Sequence, residues 1–143
     1  MRIAIASDHA GFELKEHVKA QLQSAGHYVV DVGPQTDEST DYPRYARPAA
    51  QLVAEGDAER GVLVCGSGVG VSIVANKVPG VRAVNAHDAE EAQLSRQHND
   101  VNVVTLSGRR IDAAAADAIV NAFLETDFEG GRHSRRVALI EGE

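Results

Sequence analysis

The segment 61–77 constrains the fold of this chain more than any other stretch. It begins with an apolar, β-branched run that ends at Cys65, continues with the loop Gly66-Ser67-Gly68-Val69-Gly70, and closes with an amphipathic stretch. A short apolar run bounded by glycine predicts a buried strand, and the stretch after the loop predicts a helix. Small loop residues let backbone N–H groups approach an anion at the positive N-terminus of that helix. The segment therefore predicts a site for a sugar phosphate or a similar anion.

Predicted strands and helices alternate along the rest of the chain. The strands are predicted at 2–7, 28–32, 61–65, 81–85 and 101–106, and the helices at 12–25, 45–55, 71–77, 89–98, 112–124 and 134–140, with Asp112 as an N-cap. Residues 33–45 are predicted to form a long polar loop. This alternation predicts an α/β fold with a parallel sheet and helices on both faces. Ligands bind such sheets at the carboxyl ends of the strands, where the strand order reverses.

Composition narrows the class of protein. The 143 residues suit one domain, 1–143, and a net charge of −7 argues against nonspecific nucleic-acid binding. One cysteine excludes internal disulfides and favours a reducing compartment. No apolar run approaches the length of about 20 residues that a membrane span needs, and an acidic residue at position 8 leaves the N-terminus too short for a signal peptide. We therefore expect a cytoplasmic protein with no membrane partner.

The glycine-rich loop fits neither of two common nucleotide motifs. Position 71 is valine where the dinucleotide fingerprint needs glycine, and no Gly-Lys-Ser/Thr follows. An ordinary tight turn is the alternative reading of the loop. Cys65 could likewise be a small buried hydrophobe. Its position at the loop, beside a helix N-terminus, favours a thiolate that moves a proton.

Other polar clusters each have two readings. Asp8 and His9 follow the first strand and could contact a ligand or simply cap a helix. His98 and Asn99 precede a strand, so they reach the carboxyl edge of the sheet only if their helix packs across that edge. The arginines at 109, 110, 132, 135 and 136 suit phosphate, or a solvated helix face. The acidic stretch around His87 lacks a spaced second histidine, so it predicts a solvated helix start rather than a metal site.

Several motifs together point to a family. They are Ser7-Asp8-His9-Ala10-Gly11-Phe12, Thr40-Asp41-Tyr42-Pro43, Val64-Cys65-Gly66-Ser67-Gly68-Val69-Gly70, Ala75-Asn76-Lys77, Leu94-Ser95-Arg96-Gln97-His98-Asn99-Asp100 and Phe128-Glu129-Gly130-Gly131-Arg132-His133. On these motifs the chain resembles, over essentially its full length, the type B ribose-5-phosphate isomerases. These belong to a larger group that includes the galactose-6-phosphate isomerase subunits.

The resemblance implies a Rossmann-like three-layer sandwich with a five-stranded parallel sheet, and an aldose–ketose isomerase of carbohydrate metabolism, in the pentose phosphate pathway. It implies no cofactor, no metal, and a homodimer, possibly a tetramer, with its sites at the subunit interface. Residues 129–143 would contribute to the partner subunit's site.

Residue roles follow from the same resemblance. Cys65 matches the base that moves a proton between C1 and C2, with the hydroxyl of Ser67 beside it. His98 matches the acid that opens the furanose ring. The remaining matched positions contact the sugar, the enediolate or the phosphate: Asp8, His9, Tyr42, Gly66, Gly68, Val69, Gly70, Asn99, Arg109, Arg132 and Arg136.

Three alternatives remain open at this stage. The substrate could be a hexose 6-phosphate or a tetrose phosphate. The segment 85–91 departs from the family pattern in a way that bears on local packing and on substrate preference. The chain could also be a non-catalytic module that binds a sugar phosphate or a nucleotide. A third possibility is an inactive subunit of a hetero-oligomer, although base, acid and phosphate-binding candidates all occur in this one chain.

Overall fold

A computed structural model describes residues 1–142 of the chain as five strands and six helices. Glu143, the last residue of the predicted tail segment 129–143, lies outside the described residues. The elements are β1 (Arg2–Ser7), α1 (Phe12–Ser24), β2 (Tyr28–Gly33), α2 (Pro43–Ala54), β3 (Arg60–Cys65), α3 (Val69–Asn76), β4 (Ala83–Asn85), α4 (Ala89–Asn99), β5 (Val103–Ser107), α5 (Ala113–Glu125) and α6 (Arg132–Ile140).

All strand pairs are parallel, and the strand order is β2-β1-β3-β5-β4. The chain moves outward from β1 to β2 and then returns to pair β3 with the other side of β1. The order therefore reverses between β1 and β3, and the carboxyl ends of these two strands flank a crevice. Ser7, the last residue of β1, pairs with Val64, so Asp8 and Cys65 emerge next to each other at this edge.

Alternating side chains of the strands build a core on each face of the sheet. Ile3 and Ile5 pack with α1, α4 and α5, whereas Ala4 and Ala6 pack with α2 and α3. The second face is lined by small residues, and Cys65 belongs to it. The predicted three-layer α/β sandwich is thus confirmed.

Several element boundaries differ from the predicted ones. Helix α2 begins at Pro43 rather than at 45, because a proline at the first helical position loses no hydrogen bond. Strand β5 begins at Val103 rather than at 101. Asp100 adopts a left-handed conformation with φ of 48°, and the N–H of Val101 donates to the Ser95 carbonyl. Asp100 and Val101 therefore still belong to the turn that closes α4, and the strand begins after them. The last helix begins at Arg132 rather than at 134. The predicted N-cap is confirmed, since the Asp112 carboxylate accepts the Ala115 N–H at 2.8 Å.

A buried charged group fixes the start of the loop between β2 and α2. Lys15 is fully buried, and its Nζ donates to the Pro34 carbonyl at 2.6 Å and to Asp31 Oδ1 at 3.0 Å. Lys19 donates to the other oxygen of Asp31 at 2.9 Å. Burial acts to raise the pKa of Asp31, but the hydrogen bonds from Lys19 and Lys15 outweigh it, so this pKa lies below its ordinary value. The loop leads to Thr40, whose backbone contacts His9, and to Tyr42, which lines the crevice.

Candidate active site

A cavity of about 450 Å³ opens at the carboxyl edge of the sheet, in the crevice between β1 and β3. We call it the carboxyl-edge pocket. It is lined by Asp8, His9, Ala10, Tyr42, Cys65, Gly66, Ser67, Val69, Gly70, Ile73 and Arg109. Another cavity of about 300 Å³, between α1 and α5, contains none of the predicted site residues. The fold therefore gathers most of the predicted site in one place.

Cys65 lies at the base of this pocket as a free thiol. As the last residue of β3 it packs into the core under α2 and α3, and only 4% of its surface is exposed. The next side chain to face the pocket is Ser67, which is exposed and accepts the Val69 N–H on its Oγ at 3.2 Å. The Cys65 thiol thus lies at the floor of this cavity, and the Ser67 hydroxyl lies at its rim.

The carbonyl oxygens of residues 65–68 all accept hydrogen bonds from the β4–β5 side of the sheet. The donors are the Gly108 N–H to Cys65 at 2.8 Å, the Ser107 hydroxyl to Gly66 at 2.6 Å, the Asn85 amide to Ser67 at 3.2 Å and the Thr105 hydroxyl to Gly68 at 2.8 Å. In a planar trans peptide the N–H points opposite to the C=O. The N–H groups of residues 66–69 are therefore directed away from these donors. The N–H of Val69 donates to Ser67 Oγ, and those of residues 66–68 have the orientation that suits an anion in the loop.

Two glycines of the loop are needed for space as well as for conformation. Gly68 has φ of +76°, and a Cβ there would overlap the side-chain amide of Asn85. A Cβ on Gly70 would lie 2.6 Å from the ring of Tyr42. The alternating glycines thus allow the loop to press against β4 on one side and Tyr42 on the other.

The first pocket wall follows β1. Asp8 is buried in the pocket wall, and its Oδ1 accepts the Gly11 N–H at 2.9 Å in the turn before α1, whose N-cap is Gly11 rather than Asp8. The His9 Nδ1 lies 3.2 Å from the Thr40 N–H, which anchors the ring to the loop before α2. Arg109 is exposed, and its guanidinium lies over Gly66, with Cζ 3.1 Å from where a Cβ would stand. This arrangement places a permanent positive charge at the mouth of the pocket.

The remaining predicted residues lie elsewhere in the chain. Helix α4 runs back to the start of β5, so its C-terminal residues His98 and Asn99 lie at the amino edge of the sheet, opposite Cys65. Within one chain α4 therefore does not carry them to the rim of the carboxyl-edge pocket. Arg132 and Arg136 are exposed on α6, which packs against α4. We call this second group the tail cluster: His98, Asn99, Glu129, Arg132, His133 and Arg136.

The imidazoles of His98 and His133 are stacked in the tail cluster, with ring centroids 4.5 Å apart and 16° between the planes. His133 is 6% exposed, and its Nε2 has no hydrogen-bond partner among residues 1–142. Partial burial and the nearby charges of Arg132 and His98 lower the pKa of His133 from its ordinary value. This shift favours the neutral imidazole of His133 beside His98.

Glu129 faces both imidazoles. Its Oε1 lies 3.6 Å from the His133 Nε2 and 3.9 Å from the His98 Nε2. Donor atoms of the three residues lie within 4.8 Å of one another, as a metal site requires. However, the lone pairs of stacked rings lie in nearly parallel planes and do not meet at one point. A tetrahedral ion that bound one ring would therefore be out of line with the other.

Sequence reasoning missed the residues that support the loop. Thr105 and Ser107 are polar residues in the apolar run of β5, and that contrast was the available signal for a buried hydrogen-bonding role. Asn85 lies in the segment predicted to depart from the family pattern, and it too supports the loop. The rest of that segment caps α4, since Asp88 accepts the Glu91 N–H at 2.8 Å, which confirms the predicted solvated helix start.

Comparisons with known proteins agree over nearly the whole chain. The model of a family described as ribose/galactose isomerase matches residues 3–140. Ribose-5-phosphate isomerase B of Escherichia coli (strain K12) is 48% identical over 139 residues, which are 97% of this chain and 93% of that protein. None of the helices among residues 1–142 combines the length and the apolar character that crossing a membrane requires.

Solved structures give the same match. A ribose 5-phosphate isomerase from Thermotoga maritima superposes with a TM-score of 0.96 at 47% identity, over 99% of this chain and 98% of that one. Ribose-5-phosphate isomerase B from Mycoplasma genitalium, solved with bound ribulose-5-phosphate, has a TM-score of 0.93 at 43% identity, over 98% and 93% of the two chains. The resemblance inferred from the motifs is thereby confirmed, together with the Rossmann-like fold.

Proposed function

The chain belongs to the ribose/galactose isomerase family, and from this we propose that it interconverts ribose 5-phosphate and ribulose 5-phosphate. It is an aldose–ketose isomerase that works through an enediolate and needs no cofactor. The observation that carries the proposal is the free Cys65 thiol at the base of the carboxyl-edge pocket, next to a loop whose carbonyls are all turned away.

Cys65 is the base of the reaction. As a thiolate it takes the proton from C2 of the open-chain aldose and returns it to C1, while a proton moves from O2 to O1. Negative charge develops on oxygen between these two steps. The backbone N–H groups of residues 66–70 and the Ser67 hydroxyl stabilise that charge, and the loss of one such donor typically costs about 10²–10³ in rate.

The tail cluster supplies the other half of the site from a second copy of the chain. His98 opens the furanose ring, Asn99 contacts the enediolate, and Arg132 and Arg136 bind the phosphate together with Arg109. This division is supported by topology, because the tail cluster and the pocket lie at opposite edges of one sheet. A homodimer with twofold symmetry brings each pocket to the partner's tail cluster, and so makes two equal sites.

Exposed apolar side chains support an interface of this kind. Val69 and Ile73 on α3 border the carboxyl-edge pocket and are 50% and 55% exposed. Leu139 and Ile140 at the end of α6 are 62% and 60% exposed. In the proposed dimer, α3 of one copy and α6 of the other cover each other's apolar residues.

The whole chain, 1–143, acts as one domain in this proposal, and its tail reaches the partner subunit. Because the base must remain a free thiol, we place the enzyme in a reducing compartment, the cytoplasm. Its partner molecules are a phosphorylated sugar and a second copy of the chain.

The test is exchange and turnover by a Cys65→Ala variant. We expect ribose 5-phosphate isomerisation to fall by at least about 10²–10⁴, the usual contribution of a positioned base. Calorimetric titration with ribose 5-phosphate should still detect binding, because the phosphate contacts are retained. Solvent deuterium should enter C1 of ribulose 5-phosphate with the parental enzyme and not with the variant.

Two results would decide against parts of the proposal. Full turnover by Cys65→Ala would remove the thiol from the mechanism, and absence of exchange with the parental protein would identify a non-catalytic binder. A side-by-side panel of pentose 5-phosphates, hexose 6-phosphates and tetrose phosphates identifies the substrate, and faster turnover of another member would replace ribose 5-phosphate.

A further inference from the structure

His133 is the least exposed titratable side chain of the tail cluster, and neither the reaction nor the phosphate contacts use it. It is 6% exposed, while its neighbours Arg132 and Arg136 on the same helix are exposed. The Nε2 of His133 is buried and has no hydrogen-bond partner among residues 1–142.

The contacts of His133 lead to His98. The two rings stack at 4.5 Å with 16° between their planes, and Glu129 Oε1 lies between their Nε2 atoms, at 3.6 Å and 3.9 Å. Glu129 is itself fixed to the end of α4, since its N–H donates to the Gln97 carbonyl at 3.1 Å. His98 is the exposed member, with 41% of its side chain accessible. A half-exposed imidazole on the last turn of a helix has several rotamers open to it, and the stack selects among them.

We propose that His133, together with Glu129, is a positioning residue that holds the His98 imidazole in the orientation needed for opening the furanose ring. This inference rests on the proposed function, because it assigns a supporting role to the ring-opening acid. The flat, buried face of His133 sets the plane of the His98 ring, and the Glu129 carboxylate fixes the direction of its Nε2. Both contacts lie within one chain, so the acid is oriented before any partner subunit or substrate arrives.

The chemistry of the two substrates provides a selective test. Ribose 5-phosphate closes to a furanose through O4, so the enzyme must open a ring before isomerising it. Ribulose 5-phosphate has its carbonyl at C2 and its O5 blocked by phosphate, so it stays open-chain. Deuterium exchange at C1 of the ketose therefore needs the Cys65 base but not the ring-opening acid. A residue that acts through His98 affects the aldose reaction and not this exchange.

The experiment compares kcat and KM for ribose 5-phosphate with the rate of C1 exchange in ribulose 5-phosphate. We expect His133→Asn to lower kcat with the aldose by about 10–100-fold, the usual cost of misplacing a reacting group by about 1 Å. Glu129→Gln should give a smaller loss of the same kind. Exchange at C1 should remain close to the parental rate, and KM should change little. His133→Phe, which restores a flat ring in the stack, should recover most of what His133→Asn loses.

His87→Asn, at the exposed start of α4, is the matched control and should leave both rates unchanged. Equal losses of isomerisation and exchange in the His133 and Glu129 variants would overturn the inference, as would an unchanged aldose rate in His133→Asn. Glu129 is exposed, so its variant keeps the test decisive if His133→Asn fails to fold. Inactivity of the parental protein in both assays would instead refute the proposed function.

Discussion

A mixture of two inactive variants is expected to regain activity if the site is shared between two chains. Cys65→Ala removes the proposed base from the carboxyl-edge pocket, and His98→Asn removes the proposed acid from the tail cluster. These residues lie at opposite edges of one sheet, so in a twofold dimer each active site takes Cys65 from one copy and His98 from the other. A mixed dimer therefore contains one site with both lesions and one site with neither.

The size of the recovery follows from this arrangement. Random reassortment of equal amounts gives mixed dimers in about half of the population, and each has one intact site out of two. The mixture should therefore reach about one quarter of the parental activity per chain. Each variant alone should stay lower by about 10²–10⁴, so the recovered signal stands far above either background.

The assay is isomerisation of ribose 5-phosphate after the two variants are unfolded together and refolded, or after co-expression with different affinity tags. The mixed dimer can be purified through both tags, and it should then show about half of the parental activity. A same-side pair, His98→Asn with Arg132→Ala, is the control. Its mixed dimer carries one lesion in each site and should show no recovery.

Two outcomes would refute the reasoning. Absence of recovery in the opposite-side pair, with mixed dimers demonstrably formed, would mean that each site is built within one chain. Recovery in the same-side pair would mean that His98 and Arg132 do not act in the same site.

Three stability predictions follow from the fold. Gly68→Ala should lower the stability of the fold by more than the roughly 1–2 kcal/mol that its positive φ costs, because the new Cβ would also meet Asn85, and activity should fall. Gly26 has φ of +90° and nothing near its Cβ, so in thermal unfolding Gly26→Ala should show only the cost of the backbone conformation. The lowered pKa of Asp31 means that its carboxylate stabilises the fold above about pH 4, and this stability is lost as the pH falls through the folded-state pKa. Asp31→Asn should weaken this acid dependence. It should also cost up to about 3–5 kcal/mol in denaturant unfolding at pH 7, because the buried Lys15 would keep only the partly exposed Glu16 carboxylate, at 3.5 Å, as an ionic partner. Asp112→Ala should cost about 1 kcal/mol through loss of the helix cap and leave kcat unchanged, and a larger loss or a change in kcat would contradict a purely local cap.

Local sequence patterns were sufficient to predict the parallel sheet and most of the residues that line the carboxyl-edge pocket. The strand before Cys65 and the glycines after it predict a strand–loop–helix unit, and chain order alone predicts parallel strands. Asp8 and Cys65 meet because carboxyl ends of neighbouring parallel strands share an edge. These are consequences of periodicity and connectivity, which a sequence contains directly.

Features that depend on tertiary contacts were not predicted. The 85–91 segment was expected to bear on packing, but nothing in it indicated that Asn85 would hold the loop carbonyl of Ser67. The stack of His98 on His133 joins residues from different elements, and no spacing rule connects them. The apolar run of the fully buried β5 was readable, whereas its start was displaced by the left-handed Asp100, a conformation that only local hydrogen bonding settles.

The 4% exposure of Cys65 also bears on the chemical survival of the protein. A catalytic sulfur must be nucleophilic enough to accept a proton, and the same property invites peroxides and alkylating reagents. Cys65 lines the carboxyl-edge pocket, so in the proposed reaction the sugar and such reagents reach the thiol through the same cavity. A bound sugar phosphate should therefore shield the thiol, and the shape that selects the substrate should also limit which reagents reach the sulfur.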